Sequence, residues 1–249
     1  MTNPLFSVWE GVFKSFEEAG GDTDAFESDI WINKQKEKIT CLFNEYEKGN
    51  IFSKDYPLPV IIAMILGHQK QASVLDFGGG MGMQYLDVIG KVPKAKHDVV
   101  YTIVDGESTL KNTPKFMENF QNLRYCYSLD QVQGNFDVLH IGSTLQYIED
   151  WKGLLEKLIS DYSPKYFVFS DLMVGDIPTF VSHQIFYEKR IPYLFLNIKE
   201  FKKFLATYNF NSIFCSLYKQ TILGYKIFPN FSLPKDHRIT HTQNLVFMR

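Results

Sequence analysis

With 249 residues, 45% of them hydrophobic and 16% aromatic, the chain holds enough apolar material for one large core with an appendage, which excludes disorder and a disulfide-stapled miniprotein. Its 26 Lys and Arg against 28 Asp and Glu leave a formal charge of −2, without the basic excess that neutralises a phosphate backbone, so no nucleic-acid partner is expected. Cys41, Cys126 and Cys215 form no CxxC pair and predict reduced, mostly buried thiols rather than a disulfide framework or a zinc knuckle.

The first residues show no basic segment followed by an apolar stretch. The longest apolar run, Val60 to Leu66, is too short to span a bilayer, so a cytoplasmic protein is expected. From Leu5 to about Lys70 the apolar spacing is helical: Trp9, Val12, Phe13 and Phe16 share one face, and Ile39, Leu42, Phe43 and Tyr46 share another. An N-terminal helical cap over residues 1–70 is predicted, broken at Gly20-Gly21-Asp22 and resumed by a helix over Val60 to His68 behind Pro59. Short apolar runs then read as strands at Ser73–Phe77, Val99–Val104, Leu123–Tyr127, Phe136–Ile141 and Tyr166–Ser170, with a helix over Leu145 to Ile159 before the last of them. Strands separated by helix-length segments predict an α/β fold with a parallel sheet. Residues 172–197 read as an irregular, aromatic-rich insertion. A helix over Ile198 to Tyr208 and strands at Asn211–Tyr218 and Asn244–Met248 follow, and Gly224 to Thr242 has no assignment.

The segment Val74-Leu75-Asp76-Phe77-Gly78-Gly79-Gly80-Met81-Gly82 places a carboxylate at the end of the first of these strands and glycines at 78, 80 and 82 leading into a helix. Glycine is needed where the backbone turns with positive φ or approaches a ligand, so the segment predicts a small-molecule site. The dinucleotide pattern GxGxxG from Gly78 would need glycine where Met83 stands, and GxxxxGK[ST] has no match, which disfavours NAD and ATP.

VLDFGGGMG resembles the DxGxGxG motif of class I S-adenosylmethionine-dependent methyltransferases, and Asp105 follows Asp76 by 29 residues at the end of the next predicted strand. The resemblance implies a Rossmann-like sheet of about seven mostly parallel strands over residues 71–249, with S-adenosylmethionine as cofactor. It further implies a cofactor site of Asp76, Gly78, Gly79, Gly80, Asp105, Gly142 and Ser143. Asp105 would be the ribose ligand, a carboxylate able to accept from both hydroxyls. The run Ile141 to Asp150 is similar to the segment that these enzymes pack near the methionine end. More narrowly, LDFGGGMG with Tyr85, STLQYIEDW, and Gln184 before RIPY resembles a group of predicted methyltransferases encoded in bacterial surface-polysaccharide gene clusters, for capsule and O-antigen. That group often carries a basic residue near Thr-Pro, where this chain reads Ser170-Asp171-Leu172-Met173 before Pro178.

The acceptor implied is a polar small molecule methylated on oxygen, such as a saccharide, free or nucleotide-linked, or a capsule phosphoramidate precursor. A hydroxyl acceptor needs its proton removed, and His183, in the predicted insertion, is the candidate base. Tyr85, Gln146, Tyr147, Gln184 and Tyr187 are candidate acceptor-side residues, and residues 172–197 are expected to cover the acceptor. His140, within an apolar strand, reads as a hydrogen-bonded core histidine. No metal is expected, since carboxylates do not converge after the fourth predicted strand and Asp171 with Asp176 is a weak pair. Two other readings stay open. One is a catalytically silent methyltransferase-like scaffold, and the other is an NAD(P)-dependent oxidoreductase.

Overall fold

The structure, a computed structural model, describes residues 7–50, 56–186, 188–218 and 228–249. In chain order it runs β1 (Trp9–Phe13), α1 (Phe16–Ala19), α2 (Asp29–Glu47), α3 (Leu58–His68), β2 (Ala72–Phe77), α4 (Met83–Lys91), α5 (Ala95–Asp98), β3 (Val99–Val104) and α6 (Glu107–Lys111). There follow β4 (Leu123–Cys126), β5 (Val138–Gly142), α7 (Trp151–Tyr162), β6 (Tyr166–Leu172), β7 (Val174–Gly175), β8 (Phe180–Phe186), β9 (Lys189–Asn197), α8 (Ile198–Ala206), β10 (Asn211–Tyr218) and β11 (Thr242–Met248).

Seven strands form the main sheet in the order β10-β11-β6-β5-β2-β3-β4. The run from β6 to β4 is parallel, while β11 pairs antiparallel with both β6 and β10. Successive side chains of a strand point to opposite faces, and helices cover both. Val74, Val138, Val168 and Val246 pack under α2, α3 and α4, whereas Leu75, Leu139, Phe167 and Phe247 pack against α7 and α8. The order grows outward from β2 through β3 and β4, then returns to the other side with β5 and β6. That reversal opens a crevice at the carboxyl ends of β2 and β5, where open α/β sheets bind ligands. Among the described residues no helix is long and apolar enough to cross a membrane.

The N-terminal cap is corrected: it opens on a strand, and its helices are the single-turn α1 followed by α2 and α3. Trp9–Phe13 is a strand, because it pairs antiparallel with β8 and because Gly11, at φ +78°, lies in a region no helix uses. The apolar positions 9, 12, 13 and 16 mimic a helix face over a stretch too short to distinguish the two periods. Residues 172–197 are likewise not irregular. β8 and β9 form an antiparallel hairpin, and with β1 and β7 they make a second sheet, β1-β8-β9-β7. Its alternation is hard to read in sequence because both faces are apolar: Trp9, Phe180, Tyr193 and Phe195 bury one core, while Val181 and Leu194 join the core under α7. The helix expected over Leu145 to Ile159 is divided into a 3-10 turn at Leu145–Tyr147 and α7, whose first turn is capped by Asp150 accepting from the Gly153 amide at 2.9 Å. Of the cysteines, Cys41 and Cys215 are exposed and Cys126 is half-buried, so the expectation of mostly buried thiols is also corrected.

Candidate functional site

The turn after β2 is built for a backbone that must sit close to its neighbours. Gly78 adopts φ +71°, and a Cβ there would overlap the Thr144 side chain. A Cβ on Gly79 would come within 2.6 Å of Asp76 Oδ2. Beneath the turn Asp76 is fully buried. Tyr101 donates its hydroxyl to Oδ2 at 2.7 Å, His140 Nδ1 lies 2.7 Å from Oδ1, and His140 Nε2 lies 3.0 Å from Ser170 Oγ. The ring thus joins the Asp76 carboxylate on one side and the Ser170 hydroxyl on the other. Asp76 borders the crevice, yet both its oxygens are already held by the protein. His140 is the hydrogen-bonded core residue its strand position implies.

Asp105 stands just beyond the tip of β3. Its Oδ2 accepts from the Gly80 amide and its Oδ1 from the Gly106 amide, each at 2.7 Å. Burial pushes this carboxyl above its ordinary range, against the pull of the two amides. The glycine-turn amide that would face a pyrophosphate is therefore occupied by a carboxylate, an arrangement that repels phosphate and suits hydroxyl donors.

At the tips of β5 and β6 two non-glycine residues hold left-handed backbone, Ser143 at φ +53° and Asp171 at φ +57°. They are bonded to each other: Ser143 Oγ donates to Asp171 Oδ2 at 2.6 Å, while Thr242 donates to Asp171 Oδ1. Thr144 Oγ1 donates to the Gly142 carbonyl at 2.9 Å, closing the turn against Gly78. Conformations that cost of order 1–3 kcal/mol each persist where the surroundings over-determine them, and they gather at functional sites. The sequence marks Asp171 as a departure from a pattern and as a weak metal pair with Asp176, not as a partner of Ser143. Its place at a strand tip beside Ser143 becomes visible once β5 and β6 pair.

Beyond these tips the wall is aromatic. Tyr147 donates its hydroxyl to Gln184 Oε1 at 2.8 Å, its ring packs edge-on against Phe26 and Tyr193, and burial pushes its phenol pKa up. Trp9 stacks on Phe228. Of the acceptor-side candidates, Gln146, Tyr147 and Gln184 line one cavity with Asp76, Gly78, Gly79, Gly80, Asp105, Gly142 and Ser143. His183 does not. It neighbours Gln184 on β8 and so points to the opposite face, where Nε2 meets the Ala19 carbonyl at 2.8 Å and the ring packs on Phe13. Tyr85 is also displaced from its expected role. It is buried between Tyr101 and Phe120 under the sheet, because α4 turns it inward. Tyr187 lies outside the described residues.

The cavity measures about 1400 Å³, more than one drug-sized ligand fills, and it extends from the glycine turn to the aromatic wall formed by β1, β8 and β9. A sheet that reverses at β2 and β5, a glycine turn at β2 and an acidic residue beyond β3 together make the class I S-adenosylmethionine-dependent methyltransferase fold.

No family model matches the sequence, and no curated protein sequence matches it significantly. Solved structures do match the fold. It is similar to 1,6-didemethyltoxoflavin-N1-methyltransferase of Burkholderia thailandensis, solved with 1,6-didemethyltoxoflavin and S-adenosylhomocysteine, at TM-score 0.52 and 16% identity over 86% of this chain and 90% of that one. A glycopeptide N-methyltransferase complexed with S-adenosylhomocysteine matches at TM-score 0.52 and 11% identity, covering 80% of this chain and 91% of that one. Magnesium protoporphyrin IX methyltransferase from Synechocystis PCC 6803 with bound S-adenosylmethionine matches at 0.51 and 11%, over 91% and 88%.

Proposed function

We propose that this chain is an S-adenosylmethionine-dependent methyltransferase that methylates an oxygen of a polar small molecule, such as a saccharide, in surface-polysaccharide biosynthesis. The observation that carries the reading is Asp105, clamped by the Gly80 and Gly106 amides at the glycine turn, within a cavity large enough for cofactor and acceptor together. The polysaccharide context is supported by two separate segments of the narrower resemblance meeting in space, where Tyr147 bonds Gln184.

S-adenosylmethionine, when bound, supplies a methyl group on an already activated sulfonium leaving group. What remains for the protein is alignment and exclusion of water. In this reading Asp105 accepts the ribose hydroxyls, Gly78 to Gly80 let the backbone come close, and Gly142 and Ser143 border the methionine end. With His183 turned away, the proton of an acceptor hydroxyl passes to the carboxylate of Asp171, which lines the cavity beside Ser143. Trp9, Phe26, Tyr147 and Tyr193 wall the acceptor side and exclude water.

Calorimetric titration with S-adenosylhomocysteine tests the reading, with NAD and NADP as controls. Micromolar binding of S-adenosylhomocysteine alone is expected. Binding of NAD(P) alone would favour an oxidoreductase, although the carboxylate on the Gly80 amide speaks against that outcome, and binding of none would favour a silent scaffold.

A further inference from the structure

Three residues that line the cavity carry a buried polar atom with no hydrogen-bond partner among the described residues, Gln35 Nε2, Gln146 Oε1 and Trp9 Nε1, and the last two belong to the aromatic acceptor side. Gln146 Oε1 belongs to a side chain that interacts with Tyr193, and Trp9 Nε1 belongs to the indole stacked on Phe228. Gln146 is 3% exposed and Trp9 1%, and both residues line the cavity. One orphan atom can only accept and the other can only donate. Leaving such groups unpaired is costly, so a ligand that satisfies both is favoured.

Few chemical groups do so. A phosphate or carboxylate offers acceptors and leaves Gln146 Oε1 unsatisfied. An ammonium offers donors and leaves Trp9 Nε1 unsatisfied. A hydroxyl offers both, and adjacent hydroxyls can serve both orphans while a further one meets Asp171. The charge of the cavity points the same way. Among the described residues that line it there are seven carboxylate side chains against two lysines, Lys38 and Lys157, and with Asp105 given to the cofactor ribose six carboxylates remain, Asp171 included. Such a lining repels anions. The aromatic wall supplies flat apolar faces on which a ring can lie.

We propose that the acceptor enters this cavity as an uncharged, hydroxyl-bearing ring, not as a phosphorylated, nucleotide-linked or otherwise anionic form, with Gln146 Oε1 and Trp9 Nε1 as its recognition pair. The inference rests on the methyltransferase reading above and narrows its acceptor.

The test uses the full chain loaded with S-adenosylhomocysteine and two near-isosteric probes, phenyl β-D-glucopyranoside and phenyl β-D-glucuronide, titrated by ligand-observed NMR. They differ by the exchange of a hydroxymethyl for a carboxylate. The neutral probe is expected to bind about tenfold tighter or more, as the carboxylate-rich lining demands. Gln146→Met and Trp9→Phe are each expected to weaken the neutral probe about three- to tenfold while S-adenosylhomocysteine still binds, the loss of one neutral hydrogen bond. Gln146→Met keeps the test open should Trp9→Phe fail to fold. Equal or tighter binding of the glucuronide, or unchanged affinity for the neutral probe in Gln146→Met, would overturn the proposal. So would binding of neither probe to the loaded protein. Failure of S-adenosylhomocysteine itself to bind would instead remove the methyltransferase reading, so the two failures are told apart.

Discussion

His140 Nδ1 lies 2.7 Å from Asp76 Oδ1, so the carboxylate that opens the glycine turn is gripped from the neighbouring strand rather than aimed outward. Parallel pairing of β2 and β5 puts the two residues in register, Asp76 opposite His140, and Tyr101 on β3 closes the other side. The polar network therefore supports the turn from within the sheet. Removing one member leaves a buried carboxylate oxygen unpaired. His140→Ala is expected to lower unfolding free energy by about 2–4 kcal/mol, measured by urea denaturation, and to weaken S-adenosylhomocysteine as the turn loses its support. Unchanged stability would show that the network contributes nothing to the turn.

Asp105 is held by two amides, yet it is only half-buried, so its loss should spare the fold. Asp105→Ala is expected to weaken S-adenosylmethionine by about 1.5–3 kcal/mol, the range for hydrogen bonds to a charged group, with the unfolding midpoint little changed. Calorimetry reads the affinity directly, and an unaltered value would refute the ribose assignment.

The same residue predicts a pH dependence. Burial raises the Asp105 carboxyl above its ordinary value of 3.8, and only the ionised form can accept from two ribose hydroxyls. Cofactor affinity is therefore expected to fall on acidification, starting above the ordinary carboxylate range. The effect on folding has the opposite sign. A carboxyl whose pKa is raised in the folded state takes up a proton more readily folded than unfolded, so its own contribution to stability grows as pH falls through the raised value and is lost as pH rises. Titrations of S-adenosylhomocysteine across pH 4 to 8, with Asp105→Ala as the reference, separate this residue from the others.

His183 predicts an effect on stability without one on chemistry. Its Nε2 ties β8 to the Ala19 carbonyl, and it does not line the cavity. His183→Ala is expected to cost about 1 kcal/mol of stability and to leave S-adenosylhomocysteine affinity and methyl transfer intact. A collapse of turnover with cofactor binding retained would restore it as the base.

Gly78 tests the turn itself. At φ +71°, with Thr144 where a Cβ would go, Gly78→Ala must displace either the turn or the tip of β5. A loss of S-adenosylhomocysteine binding of at least tenfold is expected, roughly 1.4 kcal/mol, within the cost of strained backbone.

Much of the main sheet was legible in the linear pattern. The strands at Ala72–Phe77, Val99–Val104 and Asn211–Tyr218 are apolar runs bounded by turn residues, and the glycine turn after the first of them predicts a small-molecule site, while a role for Asp105 comes from the family resemblance. Local steric rules suffice there, since φ-positive turns demand glycine wherever they occur. The second sheet was not legible. Trp9 to Phe13 becomes a strand because β8 offers it hydrogen bonds, and no window of local residues records that offer.

What the chain determined by itself was thus an α/β sheet, a small-molecule turn and an acidic partner 29 residues on. The tertiary structure alone decided which side chains share the cavity. Alternation along β8 sends Gln184 in and His183 out, and the pairing of β5 with β6 sets Ser143 against Asp171. A one-residue change of strand register would reverse the first choice, and register is fixed by contacts between segments far apart in the chain.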